Sequence, residues 1–168
     1  LTNLLEKLNK LKEAKNIKTP LALKISPDIN DNEVSNIIEI LIKYKINGVV
    51  LSNTTDKNRE KLLDFKKKEA GGLSGQPIKD ISTKLVRKFY KDLNKDITIV
   101  GVGGVDSGKS AFEKISAGAD AIQLYTGMVY EGPGIVKQIK KELISILKLN
   151  KIKSIKDAVG INTWPVIM

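Results

Sequence analysis

Histidine and cysteine are both absent from this chain of 168 residues. Without histidine, the commonest general base, the commonest metal ligand and any Ser–His nucleophile are excluded. Without cysteine there is neither a disulfide frame nor a thiolate metal site, and no metal is expected. Aromatic residues are scarce, at 5%, so no base-stacking platform is implied. The net charge of +10 therefore reads as a lysine-rich, solvated exterior and not as a nucleic-acid surface; diffuse attraction to anionic membranes or substrates stays open. No apolar run reaches the ~18 residues of a membrane-spanning helix, and the N-terminal stretch does not read as a signal peptide. Chemistry must rest on a cofactor, on Lys, Asp, Glu, Ser, Thr, Asn or Tyr side chains, or on residues of another chain.

What is present is enough for one domain with a core, with 41% hydrophobic residues. Leu1, Leu4, Leu5, Leu8 and Leu11 fall at helical spacing, and Thr19-Pro20 breaks the pattern. Four short apolar runs follow, at Leu21–Ser26, Val49–Asn53, Ile97–Gly104 and Ala121–Thr126. Each leads into a helical pattern. The first, opened by Asp31 as cap, carries Val34, Ile37, Ile38, Leu41 and Ile42; the others span about Asp80–Leu93, Gly108–Ala117 and the stretch from Gly134 to Leu149. The expected fold class is α/β: a helix, then four β-loop-α units with parallel strands, apolar on both faces and covered by helices. Such a set makes either a small open sheet or half of an eight-unit barrel, and periodicity does not choose between them.

The unusual residues gather at the C-terminal ends of the strands, the face that carries the active site in a (β/α) barrel. Lys24 sits in an apolar strand and needs an anionic partner or a route to water. Asn53 and Thr54 offer donors and acceptors suited to a planar polar ligand, or a turn at the strand end. Gly71 to Gly75 is a lid, a surface under a flat cofactor, or a plain turn, and the polar stretch before it is longer than an ordinary βα connection. The run ITIVGVGG, Ile97 to Gly104, delivers a glycine turn to a helix N-terminus, as phosphate sites do, although the spaced dinucleotide fingerprint and the Walker lysine motif are both missing.

Read together, residues 20–28 (PLALKISPD), 51–55 (LSNTT), 70–77 (AGGLSGQP), 80–90 (DISTKLVRKFY), 99–108 (IVGVGGVDSG), 117–127 (AGADAIQLYTG) and 138–149 (QIKKELISILKL) resemble dihydroorotate dehydrogenase. The stretch Ser74–Tyr90 and the closing IKDAVG resemble the class 2, quinone-linked type. The resemblance covers about residues 1–160, with 161–168 as a tail of no recognisable pattern. It implies the last four βα units of a TIM (β/α)8 barrel that binds FMN and oxidises dihydroorotate to orotate in pyrimidine synthesis, with a quinone as acceptor and peripheral membrane association. By position, Lys24, Ser52, Gly75, Gly104, Tyr125 and Thr126 would contact FMN, with Gly103, Gly104, Tyr125 and Thr126 around its phosphate. Lys24 would face flavin N1, and Asn53 and Thr54 would bind the substrate. The serine that serves the family as catalytic base lies on an earlier loop with no counterpart here, and neither Ser74 nor Thr55 is expected to replace it. Leu1 as first residue agrees with a chain cut from a longer one, so self-association or pairing with a missing half-barrel is expected. Two other readings stand beside this one: a non-catalytic flavin- or phosphate-binding module, and another FMN-dependent barrel oxidoreductase.

Overall fold

Four short parallel strands lie side by side in chain order in the computed structural model, which describes residues 1–57, 59–93 and 95–163. They are β1 (Ala22–Ile25), β2 (Gly48–Leu51), β3 (Thr98–Val102) and β4 (Ala121–Gln123). Helix α1 (Thr2–Ala14) precedes β1, α2 (Asp31–Lys43) follows it, α3 (Lys79–Asp92) follows β2 and α4 (Gly108–Ser116) follows β3. After β4 come a short helix α5 (Thr126–Glu131) and the long α6 (Ile135–Leu149). The expected helix-then-four-units order is therefore observed. The last strand is shorter than its pattern suggests, because Thr126 already belongs to α5. Six residues are too few for an apolar period to show, which is why α5 is invisible in the sequence.

Strand register explains which side chains meet the helices. Ile25, Leu51, Gly101 and Ile122 lie level across the sheet, and Leu23, Val49 and Ile99 form the next row. These rows pack on Val34, Ile38 and Leu41 of α2 and on Leu85, Val86 and Phe89 of α3. A smaller cluster of Val105, Ala111, Ile135 and Ile139 joins α4 to α6. On the other face, Ala22, Lys24, Ala121 and Gln123 are exposed. The expectation of strands covered on both faces is thus met on one face only, because among the described residues no layer lies over the second.

Two local expectations change. Asn30, not Asp31, caps α2: its side chain accepts from the Glu33 amide at 3.0 Å while Glu33 Oε2 accepts from the Asn30 amide at 2.8 Å. A capping box needs its acid three residues beyond the cap, and only Asn30 has one at that spacing. In α1 the leucine stripe is only partly used. Leu5 is buried and Leu8 packs on the core, while Leu1, Leu4 and Leu11 are exposed. Beyond α6, turns at Ile155–Ala158 and Ile161–Thr163 fold back on α4, where the Gly160 amide donates to Ile115 O at 3.0 Å and Asn162 Nδ2 donates to Ser116 Oγ at 3.1 Å. The remainder of the 161–168 tail, residues 164–168, lies outside the described residues.

Between α3 and α4 the structure buries a lysine completely: Lys114 is 0% exposed. Its Nζ donates to Ser82 Oγ at 2.6 Å, Thr83 Oγ1 at 2.9 Å and Lys79 O at 3.4 Å. Loss of solvation lowers its pKa to about 8, a fall that the nearby Glu113 carboxylate partly opposes. The free chain keeps a value near 10.5, so between these two values the unfolded state binds more protons. Stability contributed at this site is therefore lowest below pH 8 and rises toward pH 10.5, by on the order of 3 kcal/mol in full. Urea midpoints measured from pH 7 to 10 are expected to rise more steeply in the wild-type chain than in Lys114→Met. Parallel profiles would show that Lys114 has an ordinary pKa.

Candidate functional site

A cleft of about 1140 Å³ opens where the four strands end. The residues expected to contact cofactor or substrate line it: Lys24 from β1, Ser52, Asn53 and Thr54 after β2, Gly75 on the following loop, Gly103 and Gly104 after β3, and Tyr125 and Thr126 after β4, whereas Gly71 and Thr55 do not. Parallel strands explain the convergence, since each delivers the chain to the same edge before the next helix begins.

Lys24 is exposed on the open face of β1, in register with Val50. Its charge meets water and the cleft, and among the described residues no carboxylate pairs with it. Asn53 is held by its backbone, whose amide donates to Ile25 O at 2.7 Å, and its side chain and that of Thr54 are exposed. Ser52 differs. It is buried, and its hydroxyl donates to the Asn53 carbonyl at 3.0 Å, so its side chain is committed locally.

The long loop after β2 is tied at its base. Thr55 and Leu73 exchange backbone hydrogen bonds of 3.1 and 2.8 Å, and buried Thr55 Oγ1 donates to Asp28 Oδ1 at 2.5 Å. Asp28 Oδ2 also accepts from the Asp56 amide at 3.2 Å. Within the loop, the Arg59 guanidinium donates to the carbonyls of Lys67, Glu69 and Gly71. The Thr55 hydroxyl thus serves to fasten the base of the loop. Ser74 is likewise engaged, with its Oγ 2.9 Å from Thr126 Oγ1. Asp28 was not singled out from the sequence. Its place directly after Ser26-Pro27, at the strand end, was the available signal.

On the opposite side, glycine is required by close approach. Gly104 has φ +69°, and a Cβ there would lie 2.4 Å from Lys79 Cβ. Gly75 has φ +77°, and its Cβ would lie 2.9 Å from Thr126 Cγ2. Gln76 Nε2 stitches the two turns together, donating to Gly104 O at 3.3 Å and to the Asp106 carboxylate. The other Asp106 oxygen accepts from Ser107 Oγ and Ser110 Oγ, each at 3.1 Å, so its charge is spread over donors. The amides of Gly104, Tyr125 and Thr126 donate to no acceptor among the described residues. Tyr125 stands at the rim, 79% exposed.

The cleft therefore has three chemical parts: uncommitted backbone amides at the β3 and β4 ends, an unpaired ammonium at β1, and an amide and a hydroxyl after β2. That set suits an anion at one end and a planar polar ligand at the other.

A family profile described as dihydroorotate dehydrogenase matches residues 2–147. A dihydroorotate dehydrogenase (quinone) of Vibrio atlanticus is 48% identical over 144 residues, covering 85% of this chain and 43% of its own length. One from Natronomonas pharaonis is 44% identical, covering 86% of this chain and 41% of its own length. The crystal structure of the ligand-free enzyme from Eimeria tenella superimposes with a TM-score of 0.83 at 39% identity, covering 86% of this chain and 40% of that one. The chain thus spans about two fifths of the length of the relatives it matches.

Proposed function

The chain belongs to the dihydroorotate dehydrogenase family, whose solved members are TIM barrels, and we propose that it supplies one half of an FMN-dependent barrel oxidising dihydroorotate to orotate in pyrimidine synthesis. The observation that carries this reading is the convergence of all four strand ends on one cleft with an anion-binding side, a cation and a polar recognition pair. Relatives named as quinone-linked support a quinone as the electron acceptor, and with it a peripheral place at a membrane for the complete protein. No described helix is long and apolar enough to cross a membrane.

The residues fit FMN. Uncommitted amides of Gly104, Tyr125 and Thr126 would suit its phosphate, with Gly103 shaping the turn, and Gly75 and Ser52, which also line the cleft, would contact the rest of it. When bound, FMN would accept the hydride that leaves C6 of the substrate. Lys24 would supply positive charge to the flavin ring, stabilising the negative charge that its reduction creates. Asn53 and Thr54 hydrogen-bond the substrate's carboxylate and ring edge and so orient it. Neither Thr55 nor Ser74 is free to remove the C5 proton, since each is committed to another side chain. That proton goes to a serine in the other half of the barrel.

The open sheet sets the assembly. Among the described residues, edge strands β1 and β4 each have a neighbouring strand on one side only. In sedimentation the chain is expected to run above monomer size, whereas a soluble monomer with a cooperative melt would count against the half-barrel reading. Titrated FMN is expected to lose fluorescence on binding. Combined with the first half of a relative's barrel, the chain is expected to restore dihydroorotate-dependent quinone reduction. Flavin binding without turnover would instead leave a non-catalytic module. In the completed barrel, Lys24→Ala should slow flavin reduction by about 10²-fold or more, and a normal rate would remove Lys24 from the mechanism.

A further inference from the structure

Behind the glycine turn lies a charged group that the cleft does not use directly. Ser82, at 0% exposure, sits between Lys114 and the turn: its Oγ accepts from Lys114 Nζ at 2.6 Å and lies 3.3 Å from Gly103 O and 3.0 Å from Lys79 O. The turn rests directly on this group, since a Cβ on Gly103 would come within 3.0 Å of Ser82 Oγ. We propose that Lys114 is a positioning residue for the phosphate turn, setting the direction of the Ser82 hydroxyl that tethers the Gly103 carbonyl and thereby the affinity for a ligand carrying a phosphate monoester. The proposal rests on the reading of this cleft as the phosphate side of a flavin site.

The proton count supplies the mechanism. A charged Lys114 has three N–H groups and three acceptors, namely Ser82 Oγ, Thr83 Oγ1 and Lys79 O. Both hydroxyls then accept from the ammonium and must donate their single protons onward. Thr83 Oγ1 donates to Lys79 O at 2.7 Å. Lys79 O thus has two other donors besides Ser82 Oγ at 3.0 Å, so the Ser82 proton is shared with Gly103 O at 3.3 Å. A neutral Lys114 has a lone pair, and its nearest hydroxyl, Ser82, turns to donate to it. The tether to Gly103 is then lost.

The charged groups acting on Lys114 are Lys79 and Asp80 from α3 and Glu113 from its own helix. Lys79 and Glu113 pair with each other at 3.2 Å. On β3, Gly101 faces its stem: a Cβ there would lie 3.2 Å from Lys114 Cδ. Among the described residues, α6 and the closing turns contribute no charge that shifts it. Burial brings its titration to about 8, so the switch of hydroxyl direction falls within an accessible range. A phosphate dianion held on the turn favours the charged amine, and by linkage the ligand binds less tightly as pH rises through that value.

Two measurements on the full chain test this. The first is the dissociation constant of FMN and of riboflavin from pH 7 to 9.5, by flavin fluorescence. The phosphate stays a dianion throughout and ring titration is common to both ligands. The FMN constant is expected to rise about fivefold more than the riboflavin constant in wild type, and equally with it in Lys114→Met and Ser82→Ala. An unchanged difference in either variant overturns the proposal. The second measurement needs no ligand: the carbonyl carbon shift of Gly103 is expected to titrate near pH 8 in wild type and to stay flat in both variants. A flat wild-type trace overturns the tether. A titrating trace with no FMN binding upholds the tether and overturns the flavin reading instead.

Discussion

Nothing larger than hydrogen fits between the Gly103–Gly104 turn and the first turn of α3, and the cleft depends on that closeness. A side chain at Gly104 would run into Lys79. Because the turn lies flat on α3, the end of β3 reaches Gln76, which bonds both Gly104 O and Asp106. It also reaches Ser82 and, behind it, Lys114. One steric requirement thus joins the loop after β2, the start of α3, the turn after β3 and the core of α4. The unpartnered amide of Gly104 belongs to this turn, whereas those of Tyr125 and Thr126 are unpartnered because they open α5.

The sheet is finished on one face only. Its outer rows bury Leu51, Val49 and Ile99 against α2 and α3, which is where the hydrophobic stabilisation resides. Its inner face leaves Lys24 and Gln123 in the open. For Lys24 this resolves the cost of placing an ammonium within an apolar strand, since the charge stays hydrated on the open face. The arrangement also limits the chemistry available. Among the hydroxyls at or near the cleft, those of Thr55 and Ser74 are engaged with Asp28 and Thr126, while that of Thr54 is exposed.

Different kinds of residue were legible to different degrees. The strands and long helices stood out because a period of two or 3.6 repeats often enough to be read. The cap of α2 was readable as well, since Asn30 and Glu33 have the spacing of a capping box, though Asp31 was the more obvious candidate. Lys114 gave a weaker sign. It occupies an apolar position on α4, beside Ala111 and Ile115, but a lysine there could equally extend its stem to solvent. Only the hydroxyls of Ser82 and Thr83, on a separate helix, show that its ammonium is satisfied inside.

The order of elements, the strand identities and the set of residues facing the cleft were determined by the sequence, because local periodicity and the direction of parallel strands act over a few residues at a time. The glycines of the β3 turn were also visible there as a tight passage. Which hydroxyls are free, which lysine is hydrated and which is buried, and which face of the sheet is covered were decided by the tertiary structure alone. Those properties depend on partners distant in the chain, Thr55 with Asp28, Ser74 with Thr126 and Lys114 with Ser82, and no local pattern carries the distance between them.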